Sequence, residues 1–212
     1  MERSRKISLG DDVELELEYR APGTFVMGSN DGYPNESPSH EVAIGRGFWM
    51  ARFEITNAQY ACFDPAHDSG LETGEQYQFG TLDDDFSRLA NLSDATHHMV
   101  DYPHVPTALP PWRPAETRFD DRWRVSALGG TFQPNPWHLC DMHGNVSEWT
   151  RTTYRPYPYR PEDGRDDEVV GRKTVRGGSW MDRPRRARSA FRLHYESSQS
   201  VHDVGFRVVC EE

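Results

Sequence analysis

Asp141 and Glu148 stand seven positions apart, with Gly144-Asn145 between them. Carboxylates and carbonyl oxygens are the donors a hard cation takes. A loop bent at Gly144-Asn145 can offer both side chains together with the carbonyls of Gly144 and Val146. The spacing is not that of an EF-hand. The alternative is an ordinary turn whose carboxylates cap nearby backbone amides. A second chemistry-bearing stretch runs from Arg172 to Arg192, where eight Lys/Arg residues accompany one acidic residue, Asp182. Such a stretch can be a solvated basic face, a pocket for an anionic group, or a face for a partner. Arg176, Arg188 and Arg207 flank apolar positions and are candidates for buried ion pairs with Asp141 or Glu148.

Thiols and imidazoles offer less. Cys62, Cys140 and Cys210 are far apart and include no C-x-x-C pair, which argues against a zinc ribbon or disulfide scaffold. His97-His98 and His138-x-x-x-x-His143 do not make a two-histidine, one-carboxylate set at convincing spacing. Asp182, His194 and His202 all fall in the C-terminal loop and could approach one another.

The elements that must position these groups are short. Gly and Pro number 17 and 15 in 212 residues, which favours turns over long helices. Val13, Leu15, Leu17 and Tyr19 alternate with Glu14, Glu16 and Glu18, as in a half-buried strand. Residues 1–12 read as a flexible basic lead, and 13–212 as one domain. Strands are expected at Thr24–Ser29, Glu41–Ile44, Gly47–Met50 and Gly171–Trp180, and at Phe206–Val209 closing a sheet. Thr56 should cap a short helix, with Gln59 at capping-box spacing and Asp64-Pro65 stopping it. Residues 64–135, with Asp83-Asp84-Asp85 and many prolines from Pro103 to Pro114, show almost no pattern. The net charge of -10 disfavours general binding to nucleic acid or anionic membranes. No apolar stretch suits a membrane span or signal peptide, so a cytoplasmic location is expected.

Several blocks resemble the formylglycine-generating-enzyme family, also called the sulfatase-modifying-factor domain. They are Pro22-Gly23-Thr24-Phe25-Val26-Met27-Gly28-Ser29, Glu54-Ile55-Thr56-Asn57-Ala58-Gln59-Tyr60, Ala90-Asn91-Leu92, Gly144-Asn145-Val146-Ser147-Glu148-Trp149, and Arg176-Gly177-Gly178-Ser179-Trp180 through Gly205-Phe206-Arg207-Val208. The resemblance implies an α+β, C-type-lectin-like fold of short strands, few helices and much loop. It implies two calcium sites. One would use Asn91, the Leu92 carbonyl, Asp121 and the Trp123 carbonyl. The other would use Asp141, the Gly144 and Val146 carbonyls, and Glu148.

The chain also departs from that family. The oxidases hold copper with two thiolates just after the Arg-Gly-Gly-Ser-aromatic motif; the matching positions here are Asp182 and Ala187. No cysteine lies between Cys140 and Cys210, so copper is not expected. Iron is not expected either, because the related iron enzymes take their histidines largely from a separate helical domain. A second core helix, normally following the first, is missing, which shortens the chain internally near 64–78 and leaves Tyr60 and Phe63 in need of partners. The reading is a calcium-stabilised binding or accessory domain without the copper chemistry. Its face would comprise Trp180, Asp182, Arg183, Arg185, Arg188, Arg192, His194 and His202, with Tyr157 on the rim, for a protein or small anionic ligand. The alternatives are a metal-dependent oxidoreductase with non-cysteine ligands, and a purely structural remnant.

Overall fold

The computed structural model describes residues 3–10, 12–66, 85–96, 115–167 and 170–211. His97-His98, Asp83-Asp84, prolines 103–114 and positions 67–78 of the shortened stretch lie outside them.

Among the described residues, ten short strands form three sheets, accompanied by one α-helix. The first sheet has the order β1 (Ser4–Gly10), β2 (Val13–Arg20), β5 (Phe48–Ala51), β10 (Val209–Glu211). Strand β2 lies between β1 and β5, antiparallel to both. The segment read as a flexible lead is therefore largely an edge strand. Its side chains alternate in charge and size well enough to pair: Lys6 meets Glu14 and Glu16 across the ladder, and the Ser4 hydroxyl donates to Glu18 at 3.0 Å. Leu17 is buried with Trp49 and Ala51, and Leu15, Tyr19 and Val208 pack around them. The expected alternation fails at Glu18, which is 4% exposed. Ser4 and Arg20 give its carboxylate the partners that a buried charge requires.

A second sheet pairs β3 (Gly23–Met27) with β4 (His40–Ile44). Helix α1 (Asn57–Ala61) has the full capping box: Gln59 N–H donates to Thr56 Oγ1, and Thr56 N–H donates to Gln59 Oε1. It is barely more than one turn, too short to hold itself. Gln59 Nε2 ties it to the Glu14 carbonyl at 2.6 Å. Tyr60 finds an edge-on partner in Phe206, while Phe63 stays 81% exposed.

The third sheet has the order β8-β7-β6-β9. It is built from β6 (Ser147–Thr153), β7 (Arg172–Arg176), β8 (Leu193–Glu196) and β9 (Val204–Gly205). The closing strand expected at Phe206–Val209 is displaced: β10 is Val209–Glu211, antiparallel to β5. Arg207, just before β10, is buried and donates to the carbonyls of Ala51, Arg52 and Cys140. A separate apolar cluster of Phe86, Ala90, Leu92, Phe119, Ala127, Phe132 and Ala187 lies under the loops. Among the described residues no helix is long and apolar enough to cross a membrane.

Candidate functional site

The loops converge on Asn145. Its backbone φ is +59° and its side chain is buried. The Asn145 N–H donates to the Asn91 carbonyl at 2.9 Å, and its own carbonyl accepts from Trp180 N–H at 2.7 Å. Its Oδ1 accepts from Ala127 N–H at 2.7 Å, and its Nδ2 donates to Glu54 at 3.2 Å. One residue, through its backbone and side chain together, thus joins four chain segments. Gly144 must precede it: φ is +80°, and a Cβ there would stand 2.5 Å from the Asn91 carbonyl oxygen.

Beside this hub, three carboxylates surround one guanidinium. Arg207 donates from Nε to both Glu148 oxygens at 2.8 Å, and from Nη2 to Glu148 at 2.5 Å. It also donates to the carbonyls of Ala51, Arg52 and Cys140. Burial opposes its charge, but Glu148, Glu54 and Asp141 outweigh that and raise its pKa. Glu54 is deeply buried, and its carboxyl is pushed well above the usual range by burial and by Asp141, against the pull of Arg207. Of the second expected calcium set, Glu148 is therefore committed to Arg207, one of the ion pairs considered from sequence. Asp141 is buried with φ +59°. Burial and Asp141 push the Cys140 thiol up to about 11, so it is protonated at neutral pH.

The first expected set lies on the other side of Asn145. Asn91, Leu92, Ser93 and Asp94 are all fully buried, and Asp121 is nearly so. Asp121 accepts from Leu92 N–H at 3.0 Å and Trp123 N–H at 2.7 Å, and its own N–H donates to Asp94. Burial and the neighbouring Asp94 carboxylate push the Asp121 carboxyl up to about 8. Among the described residues, the buried Ser93 hydroxyl makes no hydrogen bond. Two adjacent carboxylates, an amide oxygen and nearby carbonyls are hard oxygen donors, the set a calcium ion prefers. The residues fit the ion here. At Glu148 a cation would share its ligand with Arg207. Asp94 was not singled out from sequence, although Asn91-Leu92-Ser93-Asp94 carried the signal.

The loop between β7 and β9 is wired inward. Asp182 is 1% exposed. It accepts from the Ser179 hydroxyl at 3.2 Å, pairs with Arg186 at 3.5 Å, and its carbonyl accepts from Ser93 N–H. The Ser179 hydroxyl also reaches buried Asp203 at 2.8 Å. Ala187 is in the apolar cluster, against Gly178, where a Cβ would come within 2.8 Å of the Ala187 Cα. The structure does not bring Asp182, His194 and His202 together as one set. His194 packs on Tyr154, and His202 lies against Met181 and Trp180. Among the described residues, no three His, Cys, Asp or Glu side chains converge as a metal set; the oxygen sets above rest on only one or two carboxylates each, with amide and carbonyl donors.

The arginines of the loop divide into two kinds. Arg188 pairs with fully buried Glu36 at 2.7 Å, and Arg185 lies over Tyr33. Arg183 is exposed. Arg192 is 2% exposed and sandwiched between Tyr154 and Tyr157, each ring centre 4.2 Å away. Arg176 donates to the carbonyls of Ser189, Ala190 and Phe191 and to the Tyr157 hydroxyl. Sequence reasoning missed Glu36, Glu54 and Asn145, whose partners are remote in the chain.

A fold of short strands and one helix, held by loops around buried Asn, Asp and Arg groups, defines the formylglycine-generating type of α+β domain. The family model described as "Sulfatase-modifying factor enzyme 1-like domain" matches residues 19–104 and 66–212, and the chain belongs to that family. It is 24% identical to the formylglycine-generating enzyme of Mycobacterium tuberculosis (strain ATCC 25618 / H37Rv), across 89% of this chain and 95% of the relative. Among solved structures it is similar in fold to PvdO from Pseudomonas aeruginosa, with a TM-score of 0.62, 19% identity and full coverage of both chains. It is also similar to Treponema denticola variable protein 1, with a TM-score of 0.58, 15% identity and full coverage of both.

Proposed function

We propose that this protein is a calcium-stabilised binding or accessory domain that does not carry out copper-dependent cysteine oxidation. The observation that carries this reading is the interior role of Asp182 and Ala187. At the positions where the resemblance puts two copper thiolates, one residue anchors Ser179 and Arg186 and the other fills the apolar cluster. Neither is a soft ligand, and cuprous copper prefers soft ones.

Support for calcium comes from the Asp94–Asp121 pair. Two carboxylates buried side by side resist ionising together, and a divalent ion among Asn91, Leu92, Asp94, Asp121 and Trp123 removes that penalty. When bound, calcium supplies fixed positive charge that holds loops lacking a ladder. Asp121 and the Leu92 amide orient the first turn of that loop. Ser93 ties it to Asp182, and Asn145 ties it to the acidic cluster.

The test is a thermal melt of the full chain in chelator and in calcium. A cooperative transition that rises in calcium, and no longer rises in Asp121→Asn, is the expected result. Incubation of copper-treated protein with a cysteine-containing peptide should yield no aldehyde; turnover would overturn the reading.

A further inference from the structure

The half-buried Arg176 on β7 and the buried Arg192 in the loop before β8 border a cavity of about 110 Å³. Its wall includes Arg165, Arg176, Arg192, Tyr157, Tyr159 and Thr150. That is room for several waters, or for one tetrahedral oxyanion. The carboxylates nearby are already engaged. Asp163 is bound to Arg165 at 2.5 Å. Asp166 accepts from the hydroxyls of Tyr159 and Thr152. Among the described residues, Arg176 and Arg192 make no ion pair. Arg176 spends its protons on carbonyls and the Tyr157 phenol.

Arg192 is the exceptional group. It is 2% exposed, and among the described residues its Nη2 donates to the Arg155 carbonyl at 2.6 Å. Among the described residues, its Nε and Nη1 make no hydrogen bond. A buried guanidinium with unmet donors and no counter-charge is costly unless something pairs with it. The rings of Tyr154 and Tyr157 offset part of that cost and hold the guanidinium plane fixed. They leave the in-plane donors unmet. A fixed fork of N–H groups matches the oxygen spacing of phosphate and sulfate.

We propose that this cavity binds a phosphoryl or sulfuryl group, with Arg192 as its principal donor and Arg176 supplying a second positive charge. The inference rests on the binding-domain reading above and gives that domain a ligand class. Discrimination follows from size: the space admits the oxyanion head, and any larger part of the ligand must extend beyond it.

The experiment is a melt of the full chain titrated with sodium sulfate, inorganic phosphate and phenyl phosphate, against chloride at matched ionic strength. The titrations are run in chelator, with the sulfate series repeated in calcium. The expected result is a saturable rise of several degrees with at least one oxyanion, lost in Arg192→Met and weakened in Arg176→Met. A rise with phenyl phosphate at lower concentration than inorganic phosphate assigns the site to an ester; the reverse assigns it to the free ion. A rise that never saturates, or one retained in Arg192→Met, overturns the proposal, because sulfate and phosphate also stabilise proteins by exclusion from their surface. Should the variants not fold, saturable broadening of the phosphate ³¹P resonance by the native chain, reversed by sulfate, is required instead. Its absence overturns the site. A calcium-dependent melt without an oxyanion effect rejects the cavity alone. An oxyanion effect without a calcium effect rejects the calcium reading and leaves the cavity standing.

Discussion

Around Arg207 the protein buries three carboxylates with one guanidinium; around Arg192 it buries guanidiniums with too few carboxylates. Both regions lie beneath loops of the same domain, and both show charge that the described side chains do not balance. The sign of the imbalance differs, and so does the way each region copes. At Arg207 the carboxylates are braced by the guanidinium itself, by Asn145 and by a raised pKa at Glu54. At Arg192 the cation is held by aromatic faces and a carbonyl. A buried arginine can close a fold or wait for a ligand, and its partners distinguish the two.

Arg207→Met is the most severe way to probe that contrast. It strands Glu148 and Glu54 beside Asp141 without their cation, and breaking such a pair costs about 3–5 kcal/mol. Urea denaturation should show a large loss of stability or no folded protein. Calcium comes next. At one hundred times its dissociation constant it should add about 2.7 kcal/mol to the native chain and close to nothing to Asp121→Asn. Arg192→Met should do far less than Arg207→Met, within about 2 kcal/mol in oxyanion-free buffer, since it removes a cation–π contact along with an unmet charge. A loss as large as that of Arg207→Met would erase the distinction between the two regions.

The smallest effect concerns pH. Arg165 holds the Asp163 carboxyl down to about 2 from the ordinary 3.8. A depressed carboxyl stabilises the fold above its ordinary pKa, and that contribution is lost as pH falls from about 4 to 2. Denaturant midpoints across that window should fall less steeply in Asp163→Asn than in the native chain.

Much of the frame was legible because its causes are local. Thr56 and Gln59 are three apart, so their reciprocal bonds follow from spacing alone. The alternation in Val13–Arg20 revealed a strand for the same reason. It failed at Glu18 because the groups that permit its burial include Ser4, on another strand. The family resemblance pointed to Asn91, Asp121, Asp141 and Glu148, but not to what surrounds them. Glu54 meets Asn145 across 91 positions, and Glu36 meets Arg188 across 152; no window of sequence contains either pair. The basic stretch looked uniform. Only packing separates Arg188, neutralised by Glu36, from Arg192, stacked between tyrosines.

The pairing of β10 with β5 has a consequence in time. Arg207 reaches back 156 positions to the Ala51 carbonyl, and β10 completes the sheet that β1, β2 and β5 begin. On a ribosome, the first three strands emerge long before the fourth exists. Until residues 207–211 leave the exit tunnel, β5 has an open edge, and Glu148 waits for its arginine. Such distant contacts slow folding: the β5 edge stays open through most of the synthesis of the domain, and the carboxylate cluster, complete once Glu148 is made, waits until Arg207 follows it.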